Sequence, residues 1–261
     1  KGSHVDLFGN DQKDLSSPEN DARYALIQEL VEKFKEAKTF GSLICMDSQE
    51  QDFVDLQNTL EDLVVEGDTL QKAAAKKLLP LVIQAKLLAK KYDAVIANPP
   101  YMGGKGMNTA LKDFAKKKFP DSKSDMFAMF IERCQELSKA SGETAFVTPY
   151  VWMFISSYED LRKKLLTQST IQSLIQLEYN AFEPACIPVC AYIISKAHIS
   201  NYVGSYIKLS EFKGHQNQSP KALEAIGNPK CGWFYNSKPD DFNKIPGSPI
   251  AYWLSNKFIK T

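Results

Sequence analysis

The sequence predicts an α/β fold: part of a doubly wound, mostly parallel sheet preceded by a helical region. Three observations carry that expectation. Residues 18–91 place apolar side chains at helical spacing. From Tyr92 onward the texture changes to short apolar runs without polar alternation, the mark of strands buried on both faces. Those runs alternate with helical stretches through residue 200, the order of an open α/β sheet.

Residues 1–17 read as a polar lead-in, with Gly2-Ser3-His4 resembling an expression scar. Ser17-Pro18-Glu19 then supplies a capping serine, a proline for the first helical position and an acid for the first turn. Tyr24, Ile27, Leu30, Val31 and Phe34 follow at helical spacing, until Phe40-Gly41 breaks the pattern. A second helix is expected from Gln51 to Val65, stopped by Gly67, and a third from Leu70 to Lys91 with Pro80 inside it. Asp93 to Ala97 is the first strand, halted by Asn98-Pro99-Pro100-Tyr101. After a loop rich in glycine and lysine comes a helix from Asp125 to Ser138, then a strand over Thr144 to Thr148. A helix over Tyr158 to Leu166 leads to strands at Ile171 to Glu178 and Val189 to Ser195, a hairpin-like final pair. From Tyr202 to Thr261 glycine, proline, asparagine and aromatics dominate, and the pattern reads as the beginning of another domain.

Composition narrows the function classes. The chain has 261 residues, 32 basic and 31 acidic groups, a net charge of +1, and 44% apolar residues. These values exclude a disordered chain, a collagen-like chain and a highly basic packaging protein. No apolar run reaches the ~18 residues a membrane helix needs. Five irregularly spaced cysteines argue for a reducing, cytoplasmic compartment rather than a disulfide framework. Cys186 and Cys190 are the only close pair, and His4, His198 and His215 offer no matching second pair. Apolar packing is therefore expected for the cysteines, and no metal site.

The chemistry concentrates at Asn98, Pro99, Pro100 and Tyr101, directly after a strand. Open α/β sheets bind ligands at that end. Two adjacent prolines stiffen the backbone and remove two N–H donors, leaving carbonyls as acceptors. Asn98 adds a side-chain oxygen and Tyr101 a flat aromatic face. Together they suit an exocyclic amino group on a planar base. Nearby, residues 102–124 carry Lys105, Lys112, Lys116, Lys117, Lys118 and Lys123 against Asp113 and Asp121, a local charge of +4. Such a flexible, lysine-rich segment suits either phosphate contacts or a solvated helix face.

A strand followed by Asn-Pro-Pro-Tyr resembles the catalytic motif of S-adenosylmethionine-dependent amino-methyltransferases, above all the N6-adenine DNA enzymes. Longer blocks sharpen the likeness: Phe40-Gly41-Ser42-Leu43-Ile44, Met102-Gly103 leading into Lys105-Gly106-Met107-Asn108, Pro120 to Asp125, Phe130 to Cys134, and Asp241 to Trp253. With these the chain resembles the PglX-type adenine-specific DNA methyltransferases of bacterial phage-exclusion (BREX) systems. The resemblance implies a partial Rossmann-like methyltransferase sheet over 92–200 and a target-recognition region beginning at 201. It implies methyl transfer from S-adenosylmethionine to N6 of an adenine flipped out of double-stranded DNA, with Asn98 and the Pro99 carbonyl accepting from the amine. Tyr101 and Phe182 would stack on the base, Phe127 would line the cofactor, Asp125 would either line it too or only cap its helix, and Lys105, Lys112, Lys116 and Lys117 would meet phosphates. Other phage-exclusion proteins would be partners.

One departure stands out. The family carries a Gly-x-Gly cofactor loop upstream of the catalytic motif, yet only Gly2, Gly9, Gly41 and Gly67 precede Asn98. The chain is therefore expected to be an internal piece of a larger protein, inactive by itself. Two alternatives stay open: methyl transfer to RNA or a protein amide, and a non-catalytic DNA-binding subunit.

Overall fold

The computed structural model describes residues 18–182 and 187–254. The chain divides into two units, residues 1–90 and 91–261.

The first unit is built by three long helices, α1 (Pro18–Phe34), α2 (Glu50–Glu66) and α3 (Thr69–Ala89). Reciprocal caps start α2 and α3. Gln49 and Asp52 satisfy each other's backbone on α2, and on α3 Gln71 N donates to Asp68 Oδ1 at 2.8 Å while Asp68 N donates to Gln71 Oε1 at 2.9 Å. The apolar stripes meet in a core of Leu30, Phe53, Leu56, Leu60, Ala75, Val82 and Ala85. Pro80 lies inside α3, as its sequence position requires. The Glu29 carboxylate ties the connection back to α1, accepting from Asp47 N at 2.6 Å and Ser48 Oγ at 2.5 Å. The lead-in and the expected Ser17 cap lie outside the described residues.

The second unit is a mixed α/β layer. Six strands, β1 (Tyr92–Ala97), β2 (Ser138–Pro149), β3 (Thr170–Gln176), β4 (Val189–Ser195), β5 (Gly204–Lys208) and β6 (Phe234–Ser237), form one sheet in the order β1-β2-β4-β3-β5-β6. β1 and β2 pair parallel, as do β3 and β5, while β4 is antiparallel to both its neighbours and β6 is antiparallel to β5. The expected hairpin-like pair is β3–β4. β4 turns back into the gap between β2 and β3. Ala97 pairs with Phe146, so β2 continues past the end of β1 through Val147, Thr148 and Pro149.

Among the described residues four helices of ten residues or more accompany the sheet: α4 (Thr109–Lys118), α5 (Met126–Leu137), α6 (Glu159–Gln168) and α7 (His215–Gly227). Phe127 and Ile131 of α5 and Leu161 and Leu165 of α6 bury one sheet face with Phe146, Leu174, Tyr192 and Tyr206. On the next residue of β5 the side chain changes face, so Ile207 packs with Ala225 of α7 instead.

Three expectations need correction. β1 is not buried on both faces: it is an edge strand, and Ile96 is 82% exposed. An apolar run reports composition, whereas burial depends on what packs over each face, and the side chain of Ile96 is left uncovered among the described residues. The loop rich in glycine and lysine expected after Tyr101 contains a helix, α4, with Leu111 and Ala115 buried among lysines, so of the two readings left open Lys116 to Lys118 lie on a solvated helix face. The sheet also runs on past Ser200 into β5 and β6, whose polar residues interrupt any apolar run in the sequence.

Candidate active site

β1 delivers Asn98 at its carboxyl end, where Pro99 and Pro100 end the strand. Asn98 is exposed, Pro99 buried and Tyr101 half-buried. The Tyr101 hydroxyl lies 3.2 Å from Asn98 Oδ1 and 3.2 Å from the Val147 carbonyl of β2, and donates to either. Burial raises the Tyr101 phenol above its ordinary value, so it stays a neutral donor at physiological pH. An amide oxygen has two lone pairs, so Asn98 Oδ1 can keep the tyrosine and accept a second donor.

The loop beyond Tyr101 is fastened to the start of α5. Met102 N donates to Asp125 Oδ1 at 2.9 Å, Met126 N to the Met102 carbonyl at 3.1 Å, and Gly104 N to the Ser124 carbonyl at 3.2 Å. Within the loop Gly106 N donates to the Gly103 carbonyl at 2.8 Å. A β-carbon at Gly106 would stand 2.8 Å from Met102 Cγ, which is why glycine fits this tight turn. Asp125 also caps α5, accepting from Phe127 N at 3.2 Å. Burial pushes its carboxyl up, while the backbone N–H groups of Phe127, Met102 and Met126 pull it back.

The Phe127 ring, expected against the cofactor, is 1% exposed. It meets the Tyr101 ring edge-on at 6.3 Å and the Tyr158 ring at 5.7 Å. It supports the tyrosine from beneath and offers a ligand no open face. Asn98, Tyr101, Asp125 and Phe127 thus form one connected cluster.

The basic residues lie along α4 and beside it. Asn108 caps this helix, accepting from Leu111 N at 2.9 Å. Lys105, Lys112, Lys116, Lys117, Lys118 and Lys123 are all exposed, and Lys116 stands 3.8 Å from Asp113. Phe182 is 51% exposed in the turn after β3. Three strand spacings of about 4.8 Å separate β3 from β1 along the sheet, and the β3–β4 connection leads back toward β1.

Residues without a sequence signal hold this turn. The buried Glu178 accepts from Asn180 N at 2.8 Å and Gly214 N at 3.4 Å, and Glu178 N donates to Gln218 Oε1 at 3.0 Å. At the same end of the sheet the Tyr252 hydroxyl donates to Gln176 Oε1 at 2.7 Å. The Asp241 to Trp253 block is therefore core: Phe242, Ile250 and Tyr252 pack in the main cluster. Cys186 lies outside the described residues. Burial pushes the Cys190 thiol up to about 12, far from thiolate chemistry. Among the described residues no group of three or more His, Cys, Asp or Glu could hold a metal, and no helix is long and apolar enough to cross a membrane.

Comparison with known proteins gives a consistent result. A family model described as Eco57I restriction-modification methylase matches residues 17–182. The adenine-specific methyltransferase BrxX of Escherichia coli O9:H4 (strain HS) is 42% identical over 267 residues, covering 100% of this chain and 21% of that one. The adenine-specific methyltransferase PglX of Lacticaseibacillus casei (strain Zhang) is 32% identical over 245 residues, covering 90% of this chain and 20% of that one. The chain thus spans about a fifth of the length of these relatives. Among solved structures, a type I restriction-modification methyltransferase subunit from Streptococcus thermophilus aligns at a TM-score of 0.45 and 21% identity, over 61% of this chain and 37% of that one.

Proposed function

The chain belongs to the Eco57I restriction-modification methylase family, and from that premise we propose that it carries the acceptor side of an adenine-N6 DNA methyltransferase. The observation that carries this reading is the Asn98 oxygen at the carboxyl end of β1, braced by the Tyr101 hydroxyl at 3.2 Å.

S-adenosylmethionine, when bound, supplies an electrophilic methyl group on a sulfonium. The described residues suit the amine better than the donor, since Phe127 is buried and Asp125 is engaged by backbone amides; none of them is assigned to hold the cofactor. Asn98 Oδ1 and the Pro99 carbonyl accept the two N6 hydrogens of adenine, which concentrates lone-pair density on the attacking nitrogen. The part of this chain is to orient the N6 nitrogen through Asn98 and the Pro99 carbonyl and to let the surplus N6 proton leave to solvent. No histidine base is required. Tyr101 presents its ring to a base extruded from double-stranded DNA, Phe182 closes over the opposite face, and Lys105, Lys112, Lys116 and Lys117 bind phosphates. The 42% identity to BrxX supports a place in phage exclusion alongside other proteins of such a system.

The test is genomic adenine methylation in cells carrying the intact protein and its neighbouring genes, wild type against Asn98→Ala. Expected is N6-methyladenine at one short motif, reduced at least ~100-fold in the variant. Its absence in both strains would overturn the DNA-adenine reading and direct attention to RNA or protein acceptors, or to binding without catalysis.

A further inference from the structure

The carboxylate that opens α5 serves two separate parts of the chain. Asp125 Oδ1 accepts from Phe127 N at 3.2 Å, an ordinary helix cap, and also from Met102 N at 2.9 Å, the residue that follows Tyr101. Its other oxygen faces the same loop: a β-carbon at Gly103 would stand 3.4 Å from Oδ2. The next two residues reinforce the grip. Met126 N donates to the Met102 carbonyl at 3.1 Å, and the Phe127 ring meets Tyr101 edge-on at 6.3 Å. Three consecutive residues of one helix start therefore hold Tyr101 and Met102 by a carboxylate, an amide and a ring. Tyr101 in turn donates to Asn98.

We infer that Asp125 is a positioning residue for methyl transfer, acting through Met102 and Tyr101 on the placement of Asn98 rather than as a contact to the cofactor. The inference rests on the proposed acceptor reading. A misplacement of about 1 Å at a reacting group costs on the order of 100-fold in rate, and this clamp connects the loop to the most firmly packed helix beside it. Chain connectivity alone leaves the Tyr101 hydroxyl free to choose Val147 and abandon Asn98.

Serine separates the two duties of the carboxylate. It is a good helix cap, but its hydroxyl sits one atom closer to the backbone and cannot reach Met102 N. Asparagine keeps an oxygen in the original place. The experiment uses the intact enzyme with tritiated S-adenosylmethionine and duplex DNA. It measures the single-turnover rate, the cofactor dissociation constant, and amide hydrogen exchange over residues 98–106. Expected for Asp125→Ser is a rate ~10- to 100-fold lower at saturating cofactor, a cofactor dissociation constant within about twofold of wild type, and faster exchange in the loop but not in α5. Asp125→Asn restores the rate to within about threefold of wild type. A wild-type rate or wild-type loop exchange in Asp125→Ser would overturn the inference. So would a tenfold weaker cofactor affinity with an unchanged rate at saturation, the signature of a direct ligand. If the wild-type enzyme methylates no DNA adenine, the acceptor reading falls on its own, and loop exchange alone decides whether Asp125 holds the loop.

Discussion

The Arg162 guanidinium, 1% exposed, makes its hydrogen bonds to backbone carbonyls. Nε donates to Gly247 at 3.2 Å and Ser248 at 3.1 Å, Nη1 to Trp152 and Ile155 at 2.7 Å each, and Nη2 to Gly247 at 2.7 Å. Gly247 and Ser248 adopt φ of 76° and 49°, which turns their carbonyls toward the arginine. Burial pulls the guanidinium below its ordinary value without discharging it. Arg162→Met leaves several buried carbonyls without donors, so we expect a loss of at least ~3 kcal/mol, read as a lower urea midpoint of the sheet unit. An unchanged midpoint would mean that water replaces the arginine. The contrast with Asn98 explains what sequence can reveal at this scale. Asn98, Pro99, Pro100 and Tyr101 announce their chemistry because it resides in side-chain type and local order. Arg162 and Glu178 do not, because their partners are mostly backbone groups that every residue possesses. Phe127 was read as a cofactor contact, and its burial was not legible, since an aromatic reads the same in the sequence whether it is covered or open.

Among the elements, α4 shows how a basic surface can hide its own secondary structure. Leu111 and Ala115 are buried, but the lysines around them blur the period, and Gly103, Gly104 and Gly106 just before suggest a loop. Once formed, the helix converts scattered charges into a fixed basic surface. Removing Lys112, Lys116 and Lys117 together is expected to weaken DNA binding at low salt. The slope of log K against log salt should shrink by about 2 to 3, with little change in thermal stability. A slope equal to wild type would place the phosphates elsewhere. The strands divide in the same way. β1 to β4 were legible as apolar runs between turn residues, whereas β5 and β6, five and four residues long, were not. Composition decides this, because Gly204, Ser205 and Lys208 in β5 and Asn236 and Ser237 in β6 leave no apolar run to read.

Taken whole, the sheet unit keeps the ligand-binding logic of an open α/β fold. Asn98, Tyr150, the turn after Gln176 and Lys208 all emerge at one end of parallel strands, and the sequence alone led to that end through β1. Strand order was not legible, since nothing local tells β4 to insert between β2 and β3. Among the described residues the same sheet ends at β1. β1 pairs with β2 alone, so the outward backbone groups of Asp93 to Ala97 lack strand partners among the described residues. The register lines up Ile96, Ala145 and Ile193 as an apolar row leading to that edge. For anyone handling these 261 residues as a separate polypeptide, this is a colloidal hazard: a free strand edge beside exposed isoleucine templates association between copies. Sedimentation velocity should show mass rising with concentration, and Ile96→Lys should return the polypeptide to a single monomeric species without lowering its melting temperature.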